Sequence, residues 1–391
     1  GRASVIAAVA TGLAGAAAAA LYVYRRCRRP ALTLRTTPPT VDQILFGASA
    51  LAGFTYSPCS ADEARAAVHA ALDLGVRCFD TAPHYGLGLS EQRLGEALAS
   101  HAKGPEARVW TKVGRVIVPR SECRARIRDG RTREEDVEWD NMHGHPACIF
   151  PGTDPDLAEI ADFTAEGANA SHKQSVRRLR REGVPMGATV LAGQRVHDPD
   201  TDARCGTALG PDGAVAALVR LRARGEIGEV SIGCWSVRHV LRLLHETPPG
   251  SFDSVMLAGR WNLLDQSGLA LVAECERRGV AVHNASIFGS GLLAGGTTYQ
   301  NKDAPADVLR RAQAWGALAE RFGTTLPAVA IHFALLPKVV TLAAMGMRSA
   351  EEVRNNVESI SRPVDPALWQ EAKRLGLLDP AVPVPEPVPS S

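Results

Sequence analysis

Two short segments gather the residue types of proton transfer. In FDTAPHYGLGLSEQRLGEAL (79–98) and WTKVGR (110–115), a carboxylate, a phenol and an amine stand at Asp80, Tyr85 and Lys112. A phenol with an unperturbed pKa of about 10 keeps its proton at neutral pH and is a donor for a developing alkoxide. An ammonium beside a phenol favours phenolate, and a carboxylate offsets the cost of taking that ammonium out of water. Singly, each residue has a structural explanation: an Asp before Thr-Ala-Pro is a strand-end turn residue, and a Tyr between His and Gly is loop packing. In adjacent βα units and inside one motif, they read as a group.

Other chemistries find less support. The eight cysteines lie far apart, with no C-x-x-C pair and no zinc-ligand spacing, and read as free thiols of a reducing compartment. A formal net charge of +2 with scattered arginines implies no nucleic-acid partner, which leaves a small-molecule substrate.

The elements that would position such a group follow from the apolar pattern. Short apolar runs at Ile44–Phe46, Val76–Phe79, Val109–Val113, Ala188–Val196, Glu229–Ile232, Ser254–Leu257, Val280–His283 and Val339–Ala343 read as strands. Between and after them, Ala61–Leu74, Glu91–Ser100, Ser171–Arg181, Gly213–Arg224, Val237–His245, Gly268–Arg278, Ala306–Arg321 and Ala350–Ser359 read as helices, with capping-box spacing at Ser60/Glu63 and Ser349/Glu352. Eight βα units predict a parallel sheet, either closed as a (β/α)8 TIM barrel or open. No G-x-G-x-x-G follows the first strand, so a nicotinamide dinucleotide would need a fold other than the Rossmann type. Residues 31–41 read as a linker, 42–376 as the barrel, 116–162 as a long polar loop over its mouth, and 377–391 as an extended, solvated Pro-rich tail.

The motifs at 79–98 and 110–115 resemble the signature of the aldo/keto reductase family. VHDPD (196–200), LAGRWNLLDQ (257–266) and GSGLLAGG (289–296) are similar to its sugar- and pyridoxal-oxidising dehydrogenases, and the resemblance runs from about residue 42 to 362. It implies a barrel, an NAD(P)-dependent oxidoreductase acting on a carbonyl such as an aldehyde, a sugar or a pyridoxal-like ring, and a catalytic tetrad at Asp80, Tyr85, Lys112 and His197. In that reading Tyr85 is the acid, Lys112 lowers its pKa, Asp80 pairs with Lys112, and His197 orients the substrate oxygen. The strand before His197, ATVLAGQRV, departs from the apolar run usual in the family. His84 and His172 read as loop or surface residues.

The resemblance also implies cofactor contacts. Ser290, Gly291 and Leu292 fall in the pyrophosphate loop, and Gly346, Arg348, Glu352 and Asn356 in the adenosine-binding segment. Glu352 stands where NADP-preferring members often carry arginine, while Arg348 compensates, so NADP and NAD remain equal alternatives. Where many members bond the carboxamide through Ser-Asn, this chain has Trp235 and Ser236; Trp261 is either a stacking ring for nicotinamide or packing.

Ser4 to Tyr24 carry no charge and would form a helix about 30 Å long, enough to cross a bilayer. Arg25, Arg26, Arg28 and Arg29 follow, which would put the barrel on the cytosolic, matrix or stromal side of a membrane, with a mitochondrion or chloroplast in view. The other reading is leftover targeting sequence, and Gly1 is compatible with a processed terminus. Two further roles follow from head and family together: an accessory, weakly active subunit of an organelle membrane complex, and a cofactor-binding redox sensor for a membrane partner.

Overall fold

Each short apolar run becomes one stave of a closed ring. In the computed structural model, which describes residues 32–54, 58–139, 150–180, 191–300 and 302–386, eight parallel strands pair in chain order. They are β1 (Ile44–Gly47), β2 (Cys78–Asp80), β3 (Arg108–Val113), β4 (Leu191–His197), β5 (Ile227–Cys234), β6 (Ser254–Ala258), β7 (Ala281–Ala285) and β8 (Val340–Gly346). β8 returns to pair with β1, which joins the sheet to itself and leaves no edge.

The two-residue period of a strand divides the side chains into two sets. Phe46, Phe79, Val109, Val230, Val255 and Val282 point outward into the large core shared with the helices. Leu45, Cys78, Trp110, Met256, Leu342 and Ala344 form a separate apolar cluster inside the ring. Gly193, opposite Trp110 in the β3/β4 register, gives the indole its place: a Cβ there would lie 2.6 Å from the ring.

The helices start and stop where local chemistry directs. Ser60 and Glu63 form a reciprocal capping box at the head of Ala61–Asp73, and Gly279 ends Leu269–Arg278 in the left-handed region at φ 68°. Ser349 caps Ala350–Ser361 through the Glu352 amide, but the Glu352 carboxylate turns to the Arg348 N–H, so that box is only half formed. Helices Asp202–Leu209, Leu326–Ala334 and Ala367–Arg374 add to those expected.

The segment read as a polar loop over the mouth is instead a small outer sheet. Arg115–Pro119 runs antiparallel to Leu157–Ala161, which pairs with Val137–Glu138, and helix Arg120–Arg128 covers one face. Val116, Val118, Cys123, Ala158 and Ile160 give this unit its own apolar core, which the surrounding arginines and acids obscure in the sequence.

Two more expectations change. The start of the tail packs against the barrel, with Val382 fully buried and the Pro385 carbonyl accepting from Gln370. The linker is pinned: Leu34 bridges Pro337, and Arg35 donates to the carbonyls of Leu335 and Val340 at 3.1 Å each. The apolar head at 4–24 and its arginines lie outside the described residues. Among those described, no helix is long and apolar enough to cross a membrane.

Candidate active site

Tyr85 is carried on the turn after β2, and the signature residues around it hold that turn. Gly86 at φ 66° and Gly88 at φ 94° take backbone conformations that a side chain disfavours, and a Cβ on Gly86 would come within 2.9 Å of Ala52. Ser90 Oγ donates to the Ala48 carbonyl at 2.7 Å and meets Thr81 Oγ1 at 2.9 Å, while the buried Glu91 carboxylate takes Arg178 Nε at 2.6 Å.

Three of the four expected catalytic residues touch one another. Lys112 Nζ, on β3, lies 2.6 Å from Asp80 Oδ2, donates to the Thr81 carbonyl at 2.8 Å, and reaches the Tyr85 hydroxyl at 3.2 Å. The fourth, His197 at the end of β4, sets its ring edge-on to Tyr85 with centroids 5.9 Å apart. All four line one cleft of about 1050 Å³ at the C-terminal ends of the strands, the end at which barrels of this kind react.

Burial and charge set the protonation of this group. Burial opposes the Lys112 ammonium, yet Asp80 and Tyr85 beside it raise its pKa, so the amine stays charged. Burial pushes the Tyr85 phenol up by more than Lys112 draws it down, so the net shift is opposite to the one expected from the sequence. His197 is driven well below its usual value, first by burial and then by Lys112 and Arg115, and is a neutral imidazole. Its Nδ1 is buried with no hydrogen-bond partner among the described residues. The arrangement keeps a proton on a phenol at neutral pH and holds a cation ready for the phenolate.

The sequence reading missed two neighbouring groups. Arg195, fully buried on β4, donates from Nε to the other Asp80 oxygen at 2.8 Å, and His283 on β7 accepts from its far nitrogen at 2.7 Å. The signal was available: Arg195 is two residues before His197 and shares its face. His84, read as a loop residue, lines the cleft with its Nδ1 3.0 Å from Glu159 of the outer sheet, and Arg115 Nη1 meets that same carboxylate at 2.6 Å. Burial alone would raise Glu159, but His84 and Arg115 bring it to about 2. Burial likewise opposes His84 protonation, and Glu159 overcomes it to raise the imidazole pKa. His172, also read as surface, is buried against Gln194 at 2.9 Å.

The family model of the aldo/keto reductases matches residues 43–376. This chain belongs to that family. It is an aldo/keto reductase-type oxidoreductase, and the expected likeness to sugar and pyridoxal dehydrogenases is met by its relatives. It is 31% identical over 332 residues to a D-threo-aldose 1-dehydrogenase of a Pseudomonas species, covering 83% of this chain and 92% of that protein. With a pyridoxal 4-dehydrogenase of Microbacterium luteolum it shares 29% over 350 residues, covering 88% and 97%. Among solved structures, the glycerol dehydrogenase of Gluconobacter oxydans superposes with a TM-score of 0.61 at 20% identity, over 92% of this chain and 98% of that one. An aldo-keto reductase of Bacillus halodurans in its holo form gives 0.61 at 18%, over 88% and 96%. These two show the shared fold.

Aldo/keto reductases use NAD(P)H, and the far part of the cleft suits a dinucleotide. Ser290 and Gly291 turn through left-handed conformations, φ 58° and 99°, and line the cleft, and a Cβ on Gly346 would meet open space. Arg348, Glu352 and Asn356 line this end; Glu352 is bound to Arg348 through its backbone N–H at 2.8 Å and its Nε at 3.2 Å. Three expected contacts fall elsewhere. Leu292 is buried in the core, Ser236 meets His239 at 2.8 Å, and Trp261 stacks on Phe333 with centroids 5.0 Å apart, all apart from the cleft lining. The tryptophan that lines the cleft is instead Trp235, 48% exposed, with the Arg260 guanidinium 5.5 Å above it.

Proposed function

We propose that this aldo/keto reductase oxidises a hydroxyl-rich or pyridoxal-like substrate to the carbonyl product, with NAD as the preferred cofactor. The observation that carries the reading is the contact of one ammonium, Lys112 Nζ, with both Asp80 and the Tyr85 hydroxyl on the floor of the cleft. A nicotinamide dinucleotide held along Ser290, Gly291, Gly346 and Arg348 would supply or accept hydride at the reacting carbon. Tyr85 gives a proton to the oxygen in reduction and, as phenolate, takes it in oxidation. Lys112 stabilises the phenolate, and neutral His197 offers its ring nitrogen to the substrate oxygen and fixes its direction.

The substrate end of the cleft supports a polar ring. Phe54 and Phe150, 5.2 Å apart, line this end, with the His84 ring edge-on to Phe150 at 6.1 Å and Asp198 adding a further polar group. The named activities of the aldose and pyridoxal dehydrogenases point the same way. Preference for NAD rests on Glu352, whose carboxylate engages Arg348 and would meet a 2′-phosphate with like charge.

The test uses the full-length protein, a panel of aldoses and pyridoxal, and fluorescence titration with NAD and NADP. Tyr85→Phe is expected to lose about 10³-fold in turnover while cofactor binding is retained. Turnover equal to wild type would overturn the assignment of Tyr85, and cofactor binding by the wild type without turnover of any substrate would favour a sensor or accessory subunit.

A further inference from the structure

Below Tyr85 the barrel holds a second cation where the alternating pattern calls for an apolar filler. Arg195 and Lys112 are register partners on adjacent strands, and both are buried. Gly233 makes room for the two: a Cβ there would lie 3.3 Å from Arg195 Cδ and 3.5 Å from Lys112 Cε. Like charges so placed repel in a medium of low dielectric, and among the described residues Asp80 is the one carboxylate that contacts both. Asp80 gives Oδ2 to Lys112 and Oδ1 to Arg195. The remaining guanidinium nitrogens are anchored on Ser231 Oγ and His283 Nδ1, both at 2.7 Å, so the group is fixed in all its directions.

We propose that Arg195 is a positioning residue of the reaction: by holding one oxygen of Asp80 it shields Tyr85 from that carboxylate and leaves the Lys112 ammonium to the phenol. The claim rests on reading Tyr85 as the proton carrier. An undivided Asp80 would bind Lys112 more strongly and set a negative charge below the phenol, holding its proton on. Sharing the carboxylate leaves a net positive charge beneath Tyr85 instead. The other ionisable groups facing this region are His84 and, above it, Glu159 and Arg115, with His197 and Asp198 at the end of β4 and, on the side of Ser231, Glu229, which Ser254 links to that hydroxyl. His283 and His197 are both held neutral, chiefly by burial with Arg195 contributing, so neither adds a further positive charge to that of the guanidinium.

Ultraviolet titration of tyrosinate in the full-length protein, taken as the difference from Tyr85→Phe, reads this one phenol without cofactor or substrate. In Arg195→Gln the Tyr85 ionisation is expected to move up by about one pH unit. The alkaline limb of alcohol oxidation should move with it, and Arg195→Lys should restore both. Arg195→Met carries the same expectation should the amide variant fail to fold. An unchanged Tyr85 titration in a folded Gln or Met variant would overturn the proposal, as would equal shifts in the Gln and Lys variants. A shifted titration in a protein that turns over no member of the substrate panel would instead sink the proposed substrate reading and leave standing only the electrostatic effect of Arg195 on Tyr85.

Discussion

Two charge clusters flank Tyr85, and they are built on different principles. The one below, Asp80, Lys112 and Arg195, sits on three consecutive strands of a closed ring, and every member is at most 4% exposed at its side chain. The one beside it, His84, Glu159, Arg115 and Glu138, joins the turn carrying Tyr85 to the outer sheet, and its Glu138 is 45% exposed. Strand geometry fixes the first to the barrel. The second is only as rigid as the packing of the outer sheet on the turn. The lower cluster therefore suits proton chemistry, which needs fixed distances, and the lateral one suits recognition of the substrate.

Removing one member from each cluster tests this division. Lys112→Met is expected to produce the largest effect, a loss of about 10³-fold in kcat with cofactor affinity little changed. A loss confined to KM would erase the distinction between the clusters.

Glu159→Gln should act mainly on stability, costing about 2 kcal/mol in chemical denaturation at neutral pH because Arg115 and His84 lose a buried counter-charge. The pH dependence follows from the sign of the shift. The folded-state pKa of about 2 lies below the ordinary 4.5, so the contribution is present above 4.5 and lost as the pH falls toward 2. Wild type and variant should converge over that interval, and a constant gap would mean that the carboxylate charge contributes nothing.

His84→Gln is predicted to raise KM for hydroxylated substrates several-fold, about 1 kcal/mol, at nearly constant kcat. An equal fall in kcat would move His84 into the proton-transfer group. The smallest effect is expected at the partly exposed Arg348–Glu352 pair, which calibrates both clusters. Glu352→Gln should change stability by less than about 0.5 kcal/mol and raise the NADP-to-NAD affinity ratio about fivefold, read by the same fluorescence titration. An unchanged ratio would remove the argument for NAD.

The two clusters also differ in how far they can be read from sequence. Asp80, Tyr85 and Lys112 stand in motifs whose glycines and serine have visible turn functions, and the eight strands follow from apolar runs of ordinary length. Arg195 was legible as a polar residue two positions before His197, but a single charge in a strand carries no sign of what it will pair with across the barrel. Glu159 was harder, because its partners are 75 residues away at His84 and 44 away at Arg115. The alternation of Val116 and Val118 is answered only at Ala158 and Ile160, far along the chain, and the dense charges between favoured a loop. Trp261 and Trp235 show the converse. Both are aromatic residues at barrel-strand ends, and only three-dimensional packing separates the one stacked on Phe333 from the one at the mouth.

The pinned segment ahead of β1 gives the molecule a front and a back. Leu34 and Arg35 are fastened at Pro337 and at Val340, the first residue of β8, whereas the cleft opens at the opposite ends of the strands. A surface or partner gripping the protein by its amino-terminal side would hold it from behind, with the entrance facing away and open to diffusing metabolites.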